Sequence, residues 1–296
     1  MEPLNTLPKY NLFGLDDVDY SKAKVVVLPV PYDSTVSYQP GTRNGPHAII
    51  SASRNLELYS YEVGYDISKI GIYTTDELAP DMSSPENMIS RIEKEVGLIL
   101  NDKKMPLLLG GEHTITLGAL KAFKDIGKDI SILQLDAHSD SRDSLFGSKY
   151  MHATVMARAK ELFSNIVQVG IRSIDEECAK KINSQQIFFA DQVHEDIDST
   201  IESIRDLTTE NIYLTIDLDV LDPSIMPSVG TPEPNGLSFG ELMKIIKEIA
   251  KEKKLTGLDI VELNPIPYLE APNYTAAKLT YLTLGYFFEK EMKDPF

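Results

Sequence analysis

Short runs of apolar residues, separated by longer segments with helical patterning, recur along the 296-residue chain. Each run is too short for a helix and is apolar on both faces, so it needs cover on both sides. This alternation predicts an α/β fold in which helices pack on both faces of a parallel sheet. No linker or repeat interrupts the pattern, so we predict a single domain over residues 1–296, with residues 1–21 as an irregular N-terminal arm. The runs predicted as strands are residues 25–28, 105–109, 130–135, 166–169, 187–190, 212–220 and 255–263.

Side chains that commonly bind metals lie at the ends of three of these runs. The sequence Asp-Ala-His-Ser-Asp follows residues 130–135 and places three such side chains at alternate positions. In extended backbone, alternate side chains point to the same side, so we expect these three to converge on one point. Open α/β sheets place their sites at the carboxyl ends of strands, which predicts that the three strand ends meet. The candidate metal ligands are His113, Asp136, His138, Asp140, Asp217 and Asp219.

The composition of this ligand set indicates which metal it would bind. A lone Asp-x-Asp at a strand end is more often part of a turn than a metal site. Metal-binding side chains at three separate strand ends are poorly explained by turns alone. Four carboxylates and two imidazoles carry too much negative charge for one ion and suit two divalent ions, with Mn²⁺ favoured because histidine is present. Two such ions activate a water molecule at neutral pH. The sequence therefore predicts metal-assisted hydrolysis.

Composition argues against several other classes of protein. The chain has 29 basic and 45 acidic residues, a net charge of −16, which argues against a nucleic-acid partner. Such acidity most often serves solubility, although an acidic field can also attract a cationic substrate. Cys178 is the single cysteine, so no intrachain disulfide forms, as is usual in a reducing compartment. The chain lacks a signal-peptide pattern and an apolar run of the roughly 18 residues that a membrane span needs, so we expect a cytoplasmic protein without a membrane partner.

The candidate ligands belong to a longer set of motifs. These are Gly-Gly-Glu-His at 110–113, Asp-Ala-His-Ser-Asp at 136–140, Asp-Leu-Asp-Val-Leu-Asp-Pro at 217–223, Gly-Thr-Pro-Glu-Pro at 230–234, Asp-Ile-Val-Glu-Leu-Asn-Pro at 259–265 and Pro-Gly-Thr-Arg-Asn-Gly-Pro at 40–46. Together they resemble the ureohydrolases, the family that includes arginase, agmatinase, guanidinobutyrase and formimidoylglutamase. The resemblance implies a three-layer arginase-like fold with about eight parallel strands. It also implies two Mn²⁺ per subunit and a homo-oligomer, either a trimer or a hexamer.

The resemblance also implies roles for individual residues. The six residues above correspond to the metal ligands, with Asp136 and either Asp219 or Asp140 as candidate bridges between the ions. Asp140 would also orient the attacking water.

Three further residues match the family's substrate site. Glu262 matches the glutamate that binds the guanidinium, since a planar cation pairs well with a carboxylate. His152 matches the histidine that carries a proton to the leaving amine, which cannot depart as an anion. Thr231 is a candidate lining residue of the substrate pocket.

The resemblance places much of the family's substrate specificity in residues 141–151, between Asp140 and His152, where an Arg-Asp pair, Gly147 and Tyr150 resemble agmatinase. They lack the asparagine that arginases use here, although Met151 stands where agmatinases usually have serine. This loop predicts hydrolysis of agmatine, a small cationic guanidine, to putrescine and urea, a step of polyamine biosynthesis. Arg142 and Lys149 could instead bind a carboxylate, which leaves guanidinobutyrate, formimidoylglutamate or arginine as alternative substrates.

Two hypotheses come from other functional classes. A deacetylase-type amide hydrolase has a related fold but uses one Zn²⁺ and would lack the full two-metal set. A catalytically silent metal-binding protein would have no need for both His152 and Glu262.

Overall fold

The computed structural model describes residues 7–16, 18–181, 183 and 185–293, so residues 1–6 and 17 of the predicted N-terminal arm lie outside the described residues. The described part of the arm contains two 3₁₀ turns, Leu12–Gly14 and Tyr20–Lys22. Its Leu12, Phe13 and Leu15 are buried against the apolar core. This segment therefore packs as part of the domain.

The predicted alternation of strands and helices is confirmed. The strands are β1 (Val25–Val30), β2 (Tyr59–Ser60), β3 (Tyr65–Asp66), β4 (Ile72–Thr74), β5 (Met105–Gly110), β6 (Ser131–Leu135), β7 (Ile166–Ile171), β8 (Ile187–Phe189), β9 (Asn211–Asp217) and β10 (Lys254–Val261). The helices are α1 (Gly45–Ser53), α2 (Pro85–Asn101), α3 (Ile115–Asp125), α4 (Val155–Leu162), α5 (Glu176–Lys181), α6 (Ala190–Glu195), α7 (Ile197–Leu207), α8 (Phe239–Ala250), α9 (Ala271–Phe287) and α10 (Glu289–Lys293).

Within the described residues, eight of these strands form one sheet in the order β4-β1-β5-β10-β9-β6-β7-β8, and all of its pairings are parallel. Strands β2 and β3 form a separate antiparallel hairpin. The eight-stranded parallel sheet predicted for this chain is therefore confirmed. Between β5 and β6 the chain crosses over two positions, which β10 and β9 later fill, and such a crossing is where open α/β sheets form their sites.

Alternate residues of the strands face two apolar layers, one on each side of the sheet. In β1, Val25 and Val27 pack into the layer that includes α1, α8 and α9. Val26 and Leu28 pack into the opposite layer, which includes α2, α3 and α4. Because both faces are covered, the central strands carry apolar residues on both faces, as the continuous runs in the sequence predicted, with a few buried polar residues such as Gln134, Thr215 and Asp259 among them.

Two local predictions needed adjustment. The edge strand β4 was not predicted, since three residues are too few to show a pattern. The predicted strand 212–220 ends at Asp217, because the Asp217 side chain accepts a hydrogen bond from the backbone of Asp219 and starts a 3₁₀ turn. His194 lies in α6, and its ring is 2.9 Å from a carboxylate oxygen of Glu241.

Candidate metal centre and active site

The candidate ligands come together because they follow neighbouring strands. His113 follows β5, Glu262 follows β10, Asp217 ends β9 and Asp136 follows β6. These four strands are adjacent in the sheet and parallel, so their carboxyl ends meet at one edge.

His113 is at the centre of the first cluster. Its Nδ1 atom lies 3.1 Å from a carboxylate oxygen of Asp136 and 3.1 Å from one of Asp140. An oxygen of Asp217 is 3.5 Å away. His113, Asp136 and Asp140 offer ligand atoms close enough together to hold one ion.

His138 belongs to a second cluster. Its Nδ1 atom is 2.8 Å from a carboxylate oxygen of Asp219 and 3.8 Å from one of Asp136. His138, Asp136 and Asp219 again offer ligand atoms within reach of one ion. Asp136 is common to both clusters, which is the position that a bridging carboxylate would occupy.

The hydrogen bonding of His113 fits a cation in the first cluster. Its Nε2 atom lies 2.8 Å from the hydroxyl of Thr215, and that hydroxyl donates to Asp259 at 2.5 Å. The Thr215 oxygen therefore accepts the hydrogen of Nε2, which leaves a lone pair on Nδ1. Nδ1 is buried, has no hydrogen-bond partner and faces the carboxylates.

The pKa shifts of the clustered aspartates also favour a bound cation. Burial, followed by the charges of Asp219 and Asp140, raises the pKa of Asp136 to about 7. Burial and the charge of Asp219 also raise the pKa of Asp217 well above its ordinary value. Buried carboxylates packed together favour a bound cation, since such groups are costly to bury without one.

The backbone at Asp140 differs from the sequence prediction. Strand β6 ends at Leu135, and Asp140 has a left-handed backbone with φ of +45°, so the extended geometry assumed for the Asp-x-His-x-Asp motif was wrong beyond the strand. The Asp140 carbonyl accepts hydrogen bonds from the first turn of α4, from Met156 at 2.9 Å and Ala157 at 3.3 Å. These bonds hold the turn that directs the Asp140 carboxylate towards His113, and aspartate tolerates this conformation better than most residues.

A cavity of about 320 Å³ opens over the two clusters. Glu262, His152 and Thr231, the three residues predicted to bind substrate, all line it. Its other lining residues are Ser37, His138, Asp140, Arg142, Leu145, Phe146, Ala153, Asp217 and Asp219.

The two cationic residues of the 141–151 loop differ in position. Arg142 lines the cavity, and its Nε atom is 3.7 Å from a carboxylate oxygen of Asp175. Lys149 does not line the cavity, and its Nζ atom is 3.7 Å from Asp143. Of these two residues, only Arg142 is placed to meet the tail of a substrate.

Glu262 is held in an uncommon backbone conformation at the end of β10. Its φ is +66°, a left-handed value that costs about 1–2 kcal/mol for a residue with a side chain. Its carboxylate accepts a hydrogen bond from the backbone N–H of His113 at 2.7 Å. Burial, and next the neighbouring charge of Glu112, raise the pKa of Glu262 well above its ordinary value. A cationic guanidinium would satisfy this carboxylate.

His152 is held by residues that the sequence did not single out. Its Nδ1 atom lies 2.8 Å from the carbonyl oxygen of Thr35, and its Nε2 atom lies 3.0 Å from the hydroxyl of Ser37. Burial lowers the pKa of His152, although the charge of Asp140 acts in the opposite direction. Thr35 and Ser37 immediately precede the motif at 40–46, which was the one sequence signal that this loop belongs to the site.

Comparison with known proteins identifies the family. A family model described as the arginase family matches residues 23–285. The chain belongs to the arginase family.

The chain is similar over most of its length to individual members of the arginase family. The N(1)-aminopropylagmatine ureohydrolase of Synechocystis is 35% identical over 294 residues, which cover 97% of this chain and 96% of that protein. The agmatinase of Pyrococcus horikoshii is 34% identical, over 92% of this chain and 94% of its own. The solved structure of an agmatine ureohydrolase from Thermoplasma volcanium superposes with a TM-score of 0.87, at 32% identity over 97% of both chains.

These similarities make the chain a hydrolase of the agmatinase-like ureohydrolase type. Arginase-family enzymes depend on a binuclear metal centre, and the two His/Asp clusters are suitable groups for one. None of the helices among the described residues has the length and apolarity required for a membrane span.

Proposed function

We propose that this enzyme hydrolyses the guanidinium group of agmatine to putrescine and urea, with two Mn²⁺ ions per subunit. The observation that carries the proposal is the position of Glu262, whose buried carboxylate lines the same cavity as four of the candidate metal ligands. A guanidinium paired with Glu262 would have its central carbon above the two clusters. The net charge of −16 would also draw a dication towards the site.

The two ions would be held by the clusters described above. His113, Asp136 and Asp140, with Asp217 nearby, would hold one ion, and His138, Asp136 and Asp219 would hold the other. Bound divalent ions of this kind activate water for attack and offset negative charge that develops in the transition state.

Glu262 and His152 would perform the remaining steps. Glu262 would orient the planar guanidinium through paired hydrogen bonds, as carboxylates do with guanidinium groups. Asp140 lines the cavity beside the clusters and would accept a hydrogen bond from the attacking water. As the bond between the central carbon and the substituted nitrogen breaks, His152 would pass to that nitrogen a proton taken up from the attacking water, so that putrescine leaves as an amine, urea remains, and the second proton of the water goes to the amine or to solvent. Thr231 would line the substrate pocket without taking part in proton transfer.

A second candidate substrate is N(1)-aminopropylagmatine, which extends agmatine with a further cationic arm. It is favoured by the Synechocystis relative, whose name gives that activity. Guanidinobutyrate, formimidoylglutamate and arginine remain alternatives because Arg142 lines the cavity. The pairing of Arg142 with Asp175 reduces the positive charge that it can offer to a carboxylate.

Further aspects of the proposal rest on the family resemblance. We propose a homo-oligomer, trimeric or hexameric, that acts in the cytoplasm in polyamine biosynthesis. The single domain is proposed to extend over residues 1–296.

Urea release from a panel of substrates tests the function. After loading with Mn²⁺, we expect release from agmatine with a kcat/KM at least about 100-fold above that for 4-guanidinobutyrate or arginine, because their carboxylates meet an acidic cavity. N(1)-aminopropylagmatine and an EDTA-treated sample complete the urea panel, and formimidoylglutamate is assayed by release of formamide, because a formimidoyl group cannot yield urea. A higher kcat/KM for N(1)-aminopropylagmatine would transfer the assignment to the second candidate. The absence of activity on every member, with two ions bound, would contradict the hydrolase proposal.

A further inference from the structure

Glu112 is a fully buried carboxylate that takes no part in the metal clusters or the substrate cavity. Both of its oxygens accept hydrogen bonds from a single residue, Thr35. One bond comes from the Thr35 backbone N–H at 2.7 Å and the other from its hydroxyl at 2.5 Å. Burying a carboxylate costs free energy, so a buried carboxylate with both oxygens hydrogen-bonded to one loop residue indicates that the position of that residue matters.

Thr35 in turn holds His152 at two points. The backbone N–H of His152 donates to the Thr35 hydroxyl oxygen at 3.2 Å. The Nδ1 atom of its ring lies 2.8 Å from the Thr35 carbonyl oxygen. A carbonyl oxygen can only accept, so Nδ1 carries a hydrogen.

The tautomer fixed by Thr35 determines which nitrogen of His152 exchanges a proton. Because Nδ1 keeps its hydrogen, the nitrogen that gains and loses a proton is Nε2. Nε2 lies 3.0 Å from the hydroxyl of Ser37, and both residues line the cavity. The ring is therefore oriented with its exchangeable proton towards the substrate.

The carboxylate of Glu112 sets the direction of these hydrogen bonds. The Thr35 hydroxyl donates to one carboxyl oxygen of Glu112, as the Thr35 backbone N–H does to the other. The lone pairs of the same hydroxyl are then available to the N–H of His152 and to the hydroxyl of Thr114, 3.1 Å away. Both donors of Thr35 are held by one buried side chain, so this arrangement resists rotation of Thr35.

We propose that Glu112 is a positioning residue that acts through Thr35 to fix the orientation and tautomer of His152. The inference rests on the proposed function, which assigns proton transfer to His152. Glu112 is also the neighbour of His113 in the sequence. The segment that places a metal ligand therefore also places the group that protonates the leaving amine.

A double-mutant cycle on the Mn²⁺-loaded enzyme tests the inference. Glu112→Gln keeps the size of the side chain but removes one of its two acceptor oxygens. With agmatine we expect kcat to fall by about 10–100-fold, the usual cost of losing a partner that orients a functional group. KM should change by less than about threefold. In a His152→Ala background the same change should lower kcat by less than about twofold, because its effect is exerted through His152.

Two variants of Thr35 serve as controls. Thr35→Ser retains the hydroxyl and is expected to keep kcat within about threefold of the wild type. Thr35→Val has a similar shape but lacks the hydroxyl and should reproduce part of the loss caused by Glu112→Gln. The Thr35 pair also tests the inference if Glu112→Gln does not fold. An equal loss of kcat from Glu112→Gln with and without His152 would overturn the inference, as would full activity of Thr35→Val.

A measurement independent of activity separates this inference from the proposed function. The chain has five histidines, and the imidazole ¹⁵N signals of His152 in the metal-free protein can be assigned by their loss in His152→Ala. We expect the Nδ1–H tautomer in the wild type and a mixture of tautomers in Glu112→Gln. An unchanged tautomer would overturn the positioning role. Inactivity of the wild type on all guanidines would instead overturn the proposed function.

Discussion

Replacing Glu262 with glutamine is expected to lower kcat/KM for agmatine by about 10²–10⁴-fold while both metal ions remain bound. Removing one partner of a buried ion pair costs about 3–5 kcal/mol, and each 1.36 kcal/mol corresponds to a tenfold change in rate. Glu262 is 7% exposed, so water would not replace the lost charge. Steady-state kinetics together with metal analysis by mass spectrometry would measure the effect.

Glutamine is chosen because it removes the charge that would bind the substrate but can keep the hydrogen bond that supports the local structure. The Glu262 carboxylate also accepts the backbone N–H of His113 at 2.7 Å, and a glutamine oxygen can keep that bond. The matched control is Glu241→Gln, which removes a partly exposed ion pair with His194 away from the cavity. Such pairs contribute roughly 0–1 kcal/mol to stability, so activity should change by less than about twofold. If Glu262→Gln kept kcat/KM within tenfold of the wild type with both ions bound, another group would have to bind the guanidinium.

The fold was largely predictable because its strands are covered on both faces. A continuous apolar run such as residues 130–135 indicates a strand that is buried on both faces of its sheet. Few arrangements other than a parallel α/β fold cover both faces. Strand β4 escaped prediction because it is a three-residue edge strand, where pattern and burial are both weak. The order of strands could not be derived from the runs themselves, since it depends on where each crossover returns to the sheet.

The residues of the candidate site could be predicted from the sequence, but their backbone conformations and contacts could not. Asp-x-His-x-Asp identified strand-end chemistry, yet the left-handed backbones of Asp140 and Glu262 have no sequence pattern comparable to a glycine at a turn. The contact between Glu112 and Thr35 joins residues 77 positions apart in the chain. Only the folded arrangement shows that contact, because a single sequence carries no sign of long-range pairs between polar side chains.

Asp136→Asn is expected to abolish tight binding of both metal ions, whereas His113→Asn should weaken one of them. Asp136 is the residue common to both ligand clusters, and His113 belongs to one. Losing a residue that only orients a metal ligand lowers the affinity for the metal by about 10–100-fold. Losing a ligand that both ions share should lower that affinity further. Titration calorimetry with Mn²⁺ should then give two sites in the wild type, one in His113→Asn and none in Asp136→Asn. Urea release should fall by more than about 10³-fold in Asp136→Asn.

The stability of the metal-free protein distinguishes this expectation from misfolding. Burial and the charges of Asp219 and Asp140 raise the pKa of Asp136 to about 7, so its ionised form opposes folding when no cation is present. A neutral asparagine removes that repulsion. The metal-free Asp136→Asn variant should therefore melt at the same temperature as the metal-free wild type or higher. Mn²⁺ should raise the melting temperature of the wild type but not that of Asp136→Asn, since a ligand stabilises the state that binds it. Two sites of unchanged affinity in Asp136→Asn would rule out a bridging role for this residue.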